Sequence, residues 1–149
     1  MRARLMLFAA LVALATAASA AGDPLFDGYE QVRQGLIAGD VGRIQDAAVD
    51  LAAAAEKVGR DDIQQKALAV QRTTGLEEAR IAFATLSDAV IAYRETRCCK
   101  RPVVVYCAME KKSWLQPEGE IENPYVAASM RSCGKVVDAA QGRSHSGHH

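Results

Sequence analysis

Between Pro24 and Thr96 apolar residues recur every three or four positions, and breaks in that rhythm divide the stretch into four segments. Such spacing lays an apolar stripe along one face of a helix. Pro24 suits a first helical turn; Tyr29, Val32 and Leu36 form the stripe, and Gly39 ends the segment. Asp40 is placed to cap a second helix that carries Ile44, Ala48, Leu51, Ala55 and Val58 on one face and stops at Gly59. Asp61 or Asp62 caps a shorter third helix with Ile63, Ala67 and Val70. In the fourth, Thr74 and Glu77 have capping-box spacing, followed by Leu76, Ala79, Phe83, Leu86, Val90 and Tyr93. Short connections favour antiparallel neighbours, so the pattern predicts a mainly α protein built on a four-helix up-and-down bundle.

After Thr96 the pattern changes. Val103 to Tyr106 is β-branched and follows Pro102, which predicts a strand leading into Cys107. Trp114, Leu115 and Ile121 read as apolar anchors in a loop-rich stretch, and Asn123-Pro124 opens a turn or short helix ending near Met130. Lys135 to Val137 is a second short strand that could pair with the first.

The first residues bear on compartment. Arg2 and Arg4 precede an apolar run from Leu5 to Ala17, and Ala18-Ser19-Ala20 offers small residues for cleavage. Residues 1–20 are therefore expected to be a secretory signal peptide, with the rest released to a bacterial periplasm. Residues 21–140 would form the domain, about 129 residues remaining with the tail, enough chain for one buried core. No later stretch is apolar enough to span a bilayer. The 18 basic and 18 acidic residues balance, and without Arg2 and Arg4 the balance becomes slightly negative. With no basic stripe interleaved with aromatics, nucleic acid is a poor partner. Residues 141–149 read as a disordered polar tail holding every histidine, His145, His148 and His149, a tract able to bind a divalent ion weakly.

Sulfur carries the candidate chemistry. Cys107-Ala108-Met109 and Met130-Arg131-Ser132-Cys133 are mirrored clusters, and Met1 and Met6 are the only other methionines. Thiolates and thioethers are soft donors, so Cys107, Met109, Met130 and Cys133 together would suit Cu(I) or Ag(I). Zn(II) prefers cysteine and histidine and ranks lower. Residues two apart on a strand share a face, and residues three apart on a helix are neighbours, so each pair could present both sulfurs together. The thiols must lose their protons to bind, so affinity should fall in acid. Cys98 and Cys99 sit among Arg97, Lys100 and Arg101, which favours thiolate; they are a possible second soft-metal port or disulfide partners.

These motifs give the chain a family likeness. It resembles, from about Tyr29 to Val137, a bacterial periplasmic domain family of unassigned function, found alone or attached to membrane-fusion adaptors of heavy-metal efflux pumps. The likeness rests on Tyr106-Cys107-Ala108-Met109, Trp114-Leu115, Ile121 to Tyr125 and Met130 to Gly134, with Ala79 to Phe83 and Leu86-Ser87 upstream. It implies a helical bundle with a copper-associated cysteine and methionine region. Ala108 stands where the family usually has proline, and Val126-Ala127 where it usually has glycine. The spacing of the sulfurs survives, without proline's fixed φ.

Two functions follow as expectations. One is a periplasmic metal-binding protein for sequestration or hand-over of Cu(I) to an efflux or copper-delivery partner. The other is a disulfide-stabilised helical interaction module with no metal role. Four cysteines in an oxidising compartment commonly form bridges, and Met109 and Met130 would then be gap-filling core residues. Catalysis is not expected: outside the tail no histidine can serve a nucleophile as base, and no Gly-rich phosphate loop follows a strand.

Overall fold

A computed structural model describes residues 22–97 and 101–138. The signal peptide and tail readings therefore fall outside the described residues. Helices α1 (Pro24–Ala38), α2 (Val41–Lys57), α3 (Asp61–Gln71) and α4 (Leu76–Glu95) are followed by β1 (Val103–Cys107), β2 (Lys112–Gln116), a 3-10 turn (Ala128–Met130) and β3 (Lys135–Val137). Among the described residues no helix is long and apolar enough to cross a membrane.

Local chemistry sets the helix limits. The Asp23 carboxylate accepts from the Leu25 amide at 3.0 Å, with Pro24 behind it in the first turn. Gly39 closes α1 at φ +70°, a left-handed conformation that costs a side-chain-bearing residue about 1–2 kcal/mol. Asp40 then accepts from the Arg43 amide at 3.0 Å and starts α2.

Two expected caps shift. Gly59, at φ +68°, and Arg60 donate their amides to the Glu56 and Ala55 carbonyls, a closing pattern that follows the Val58 cap of α2 and leaves Arg60 as the cap of α3. Asp61 and Asp62 thus lie inside the first turn of α3, where their charge opposes the positive end of the helix dipole. Arg60 pairs with Asp62 at 2.8 Å instead. At α4 the cap is Gly75, and it is Glu78, not Glu77, that reaches back to the Thr74 amide, at 2.9 Å. Glu77 is held by Arg80. Val58, expected on the apolar face, lies exposed at the end of α2.

The two strands expected from sequence are joined by a third. β1 lies between β2 and β3, antiparallel to both. Val105 faces Trp114 on one side and Val136 on the other, and Cys107 faces Lys112. Trp114 and Leu115 are thus strand residues rather than loop anchors. Both are fully buried, although successive strand residues point to opposite faces, so β2 is covered on both sides. The core is continuous. Leu25, Tyr29, Ile44, Leu51, Ile63 and Phe83 of the helices pack in one cluster with Val104, Val105, Trp114, Leu115 and Tyr125.

Candidate metal site

Cys107 ends β1 and Cys133 precedes β3, and the pairing of these strands brings the two sulfurs to 2.8 Å. Three local features hold Cys133 there. Buried Asn123 donates from its side-chain amide to the Cys133 carbonyl at 2.8 Å and from its backbone amide to the Arg131 carbonyl at 2.7 Å. The Cys133 amide donates to the Met130 carbonyl at 2.9 Å, so a tight turn joins those two candidate ligands. Gly134 lets the chain pass close to the sheet: a Cβ there would lie 2.8 Å from Trp114 Cη2 and 2.9 Å from Val105 Cγ1.

Arginines fasten the surrounding loop to the bundle. Arg33 of α1 donates to the Glu122 carbonyl at 2.7 Å while gripping Glu30. Arg80 of α4 donates to the carbonyls of Pro124 and Val126, each at 3.1 Å. Arg131 donates to the Ile37 carbonyl at 2.8 Å. Charged donors on carbonyls make bonds stronger than neutral pairs. They also fix the segment that carries Cys133.

Behind the site runs a buried hydroxyl chain. Tyr29 Oη is 2.7 Å from Ser87 Oγ and accepts from the Leu115 amide at 3.2 Å. Tyr125 Oη is 3.1 Å from the same serine and 3.0 Å from the Ser113 carbonyl. Each hydroxyl has a single proton, so one order satisfies all groups: Leu115 to Tyr29, Tyr29 to Ser87, Ser87 to Tyr125, Tyr125 to Ser113. Burial raises the pKa of both tyrosines, outweighing their hydrogen bonds.

The sulfur donors differ in exposure. Cys107 is fully buried and Cys133 half-buried, while Met109 is 65 % and Met130 38 % exposed. Met109 lies in the turn between β1 and β2 rather than on a continued strand, so it does not share a strand face with Cys107. Neither methionine is a core gap-filler, contrary to what the disulfide alternative expects of them. The thiols meet in the structure; the thioethers are solvent-exposed, each on the segment that bears one thiol. Hydrogen bonding to Cys107, then burial, then the charges of Cys107 and Glu110 raise the pKa of the Cys133 thiol. Glu110 is partly neutralised by Lys112 at 3.6 Å.

Two thiolates on one tetrahedral ion with bonds of about 2.3 Å lie roughly 3.8 Å apart, and a disulfide spans about 2.05 Å. Two sulfurs brought side by side suit either role, as a pair of ligands or as a bridge. Among the described residues no group of three or more His, Cys, Asp and Glu could hold an ion. Two thiolates joined by thioethers would be a donor set that suits a soft monovalent cation. Trp114 is an anchor: fully buried, it donates to Gln116 Oε1 at 3.0 Å and meets Tyr125 edge-on at 6.0 Å. Cys98, Cys99, His145, His148 and His149 lie outside the described residues. Asn123 is legible in sequence as a residue that holds its turn through its own side chain, and its Oδ1 accepts from the Tyr125 amide at 2.9 Å; its clamp on Cys133 and the arginine staples are not legible, because their acceptors are backbone carbonyls. Comparison with family models, curated proteins and solved structures gave no match.

Proposed function

We propose that this protein binds one soft metal ion as cargo, Cu(I) foremost and Ag(I) by the same chemistry. The observation that carries the reading is the contact of Cys107 and Cys133 at 2.8 Å, with Met109 and Met130 exposed on the adjoining segments. Cys107 and Cys133 would supply the charge and hold the ion; Met109 and Met130 would complete its shell. A thioether binds without full negative charge, so an exposed methionine can release the ion to a partner's sulfur. This fits sequestration, or hand-over to a heavy-metal efflux or copper-delivery protein. The signal-peptide pattern and the family likeness of the Cys/Met motifs support a periplasmic setting. The task is carriage rather than catalysis.

The test is an anaerobic Cu(I) titration against a chromogenic chelator, with free thiols counted in parallel. The expected result is one copper per chain, lost in C107S and C133S and weakened when Met109 and Met130 are both replaced by alanine. Unchanged affinity in the double methionine variant would overturn the assigned ligand set. The same sulfur contact also favours the second reading, a disulfide-stapled interaction module. That reading requires Cys107 and Cys133 to be blocked in the isolated protein and metal to leave its melting temperature unmoved.

A further inference from the structure

Cys107 and Cys133 touch, yet solvent reaches them unequally. Cys107 Sγ closes a buried strand end, whereas Cys133 is half-buried in the turn that begins at Met130. A thiol at the surface can meet an outside disulfide; a buried one can react only with a sulfur already beside it. The contact supplies that sulfur, and the Asn123 and Gly134 arrangement keeps it there.

We propose that the pair is a redox gate on the metal site, closed by exchange with an external disulfide, with Cys133 the sulfur that meets the oxidant and Cys107 the one that resolves. This rests on the metal-binding reading above. The Cys133 thiolate attacks one sulfur of the incoming disulfide, whose S–S bond breaks; one thiol leaves with the proton Cys133 gave up. Cys107 then loses its proton and attacks Cys133 Sγ, expelling the second thiol. The chain is oxidised by two electrons and the incoming disulfide is reduced to two thiols. Both anionic ligands are then consumed, and of the assigned ligands the neutral thioethers of Met109 and Met130 remain. A bound ion engages both sulfurs and blocks the attack, so the loaded protein resists oxidation while the empty one closes.

The experiment uses the full chain, reduced and then exposed to oxidised glutathione, with peptide mapping under non-reducing conditions to assign every cysteine. The expected result is a Cys107–Cys133 cross-link in the wild type. C107A should accumulate a glutathione adduct at Cys133, whereas C133A should leave Cys107 unmodified. C107S replaces the alanine variant if that one unfolds. Cross-linked protein should lose Cu(I) binding and regain it on reduction, and Cu(I) loaded beforehand should prevent the cross-link. Reduced protein that binds Cu(I) but never forms this cross-link overturns the gate and leaves the metal site standing. A cross-linked chain that binds Cu(I) as tightly as the reduced one overturns the gate and, with it, the assignment of Cys107 and Cys133 as ligands. An adduct at Cys107 in C133A overturns the assigned order. A chain that cross-links as described but binds no Cu(I) when reduced overturns the metal reading, and the gate with it.

Discussion

At the scale of single residues, Gly134 shows how little room the site has. A methyl group there would press on Trp114 and Val105 at 2.8 and 2.9 Å, both side chains being fully buried and unable to yield easily. Gly134→Ala should cost about 1–3 kcal/mol, as overpacking does, and should slow formation of the Cys107–Cys133 cross-link. Urea denaturation and thiol trapping measure the two effects; an unchanged midpoint would mean the strand moves aside freely. The hydroxyl chain gives a second residue-scale test. Tyr29→Phe leaves the Leu115 amide and Ser87 short of a partner, a loss of about 1–3 kcal/mol near neutrality. The folded state holds the protons of Tyr29 and Tyr125 more tightly than an unfolded chain, whose tyrosines titrate near about 10. That stabilisation is complete below this pH and fades as pH rises through the folded values, because the unfolded chain then binds fewer protons. The gap between wild type and Tyr29→Phe should therefore narrow above pH ~10, as read by denaturation at several pH values. Spacing in the sequence picked out the four sulfurs. It could not join Tyr29 to Ser87, a polar contact 58 residues apart that no local pattern encodes.

At the scale of elements, what was legible depended on whether a segment makes its own bonds. The four helices were legible because apolar period, caps and stops all lie within each segment. Where two signals competed at one boundary the reading slipped by a residue: α2 closes through Val58 and Gly59, and Arg60 is already the cap of α3, so neither aspartate is left outside the helix to cap it. β2 was missed for a different reason. Lys112-Ser113-Trp114-Leu115-Gln116 has no β-branched residue and no alternation, and becomes a strand because β1 lies beside it. Asp40 tests the local kind of stability. Asp40→Ala removes the bond to the Arg43 amide and should cost about 0.5–2 kcal/mol, read as a lower midpoint with the Cys107–Cys133 contact intact. Arg80 tests the non-local kind. Arg80→Met releases the carbonyls of Pro124 and Val126, a loss of about 1.5–3 kcal/mol for charge-assisted bonds. Amide exchange should quicken around Tyr125 and Cys133 while the α2 amides keep their protection. Equal acceleration in α2 would show that Arg80 supports the whole fold instead.

At the scale of the molecule, sheet and bundle share one core, in which Cys107 is buried with residues of all four helices. That sharing was the least legible feature. Its fastenings run from Arg33, Arg80 and Arg131 to backbone oxygens, which any residue could have supplied. One consequence separates the two functions proposed for the sulfur pair. An ion that binds only the folded chain raises stability by about 4 kcal/mol at a free concentration a thousandfold above its dissociation constant. A Cys107–Cys133 bridge closes a loop of about 27 residues and constrains the unfolded chain by roughly 3–4 kcal/mol. The energies are close, so a single melting temperature cannot tell them apart; their response to copper can. Reduced, metal-free protein should be the least stable form and should gain stability with each increment of Cu(I), in one transition that carries helix and sheet signals together. The oxidised form should start higher and stay fixed as Cu(I) is added. C107S should lack both responses. Thermal unfolding followed at a helical band and by Trp114 fluorescence, anaerobically and over a copper series, measures all three. A reduced protein indifferent to Cu(I) would remove the metal-binding function and leave the disulfide staple as the role of the pair.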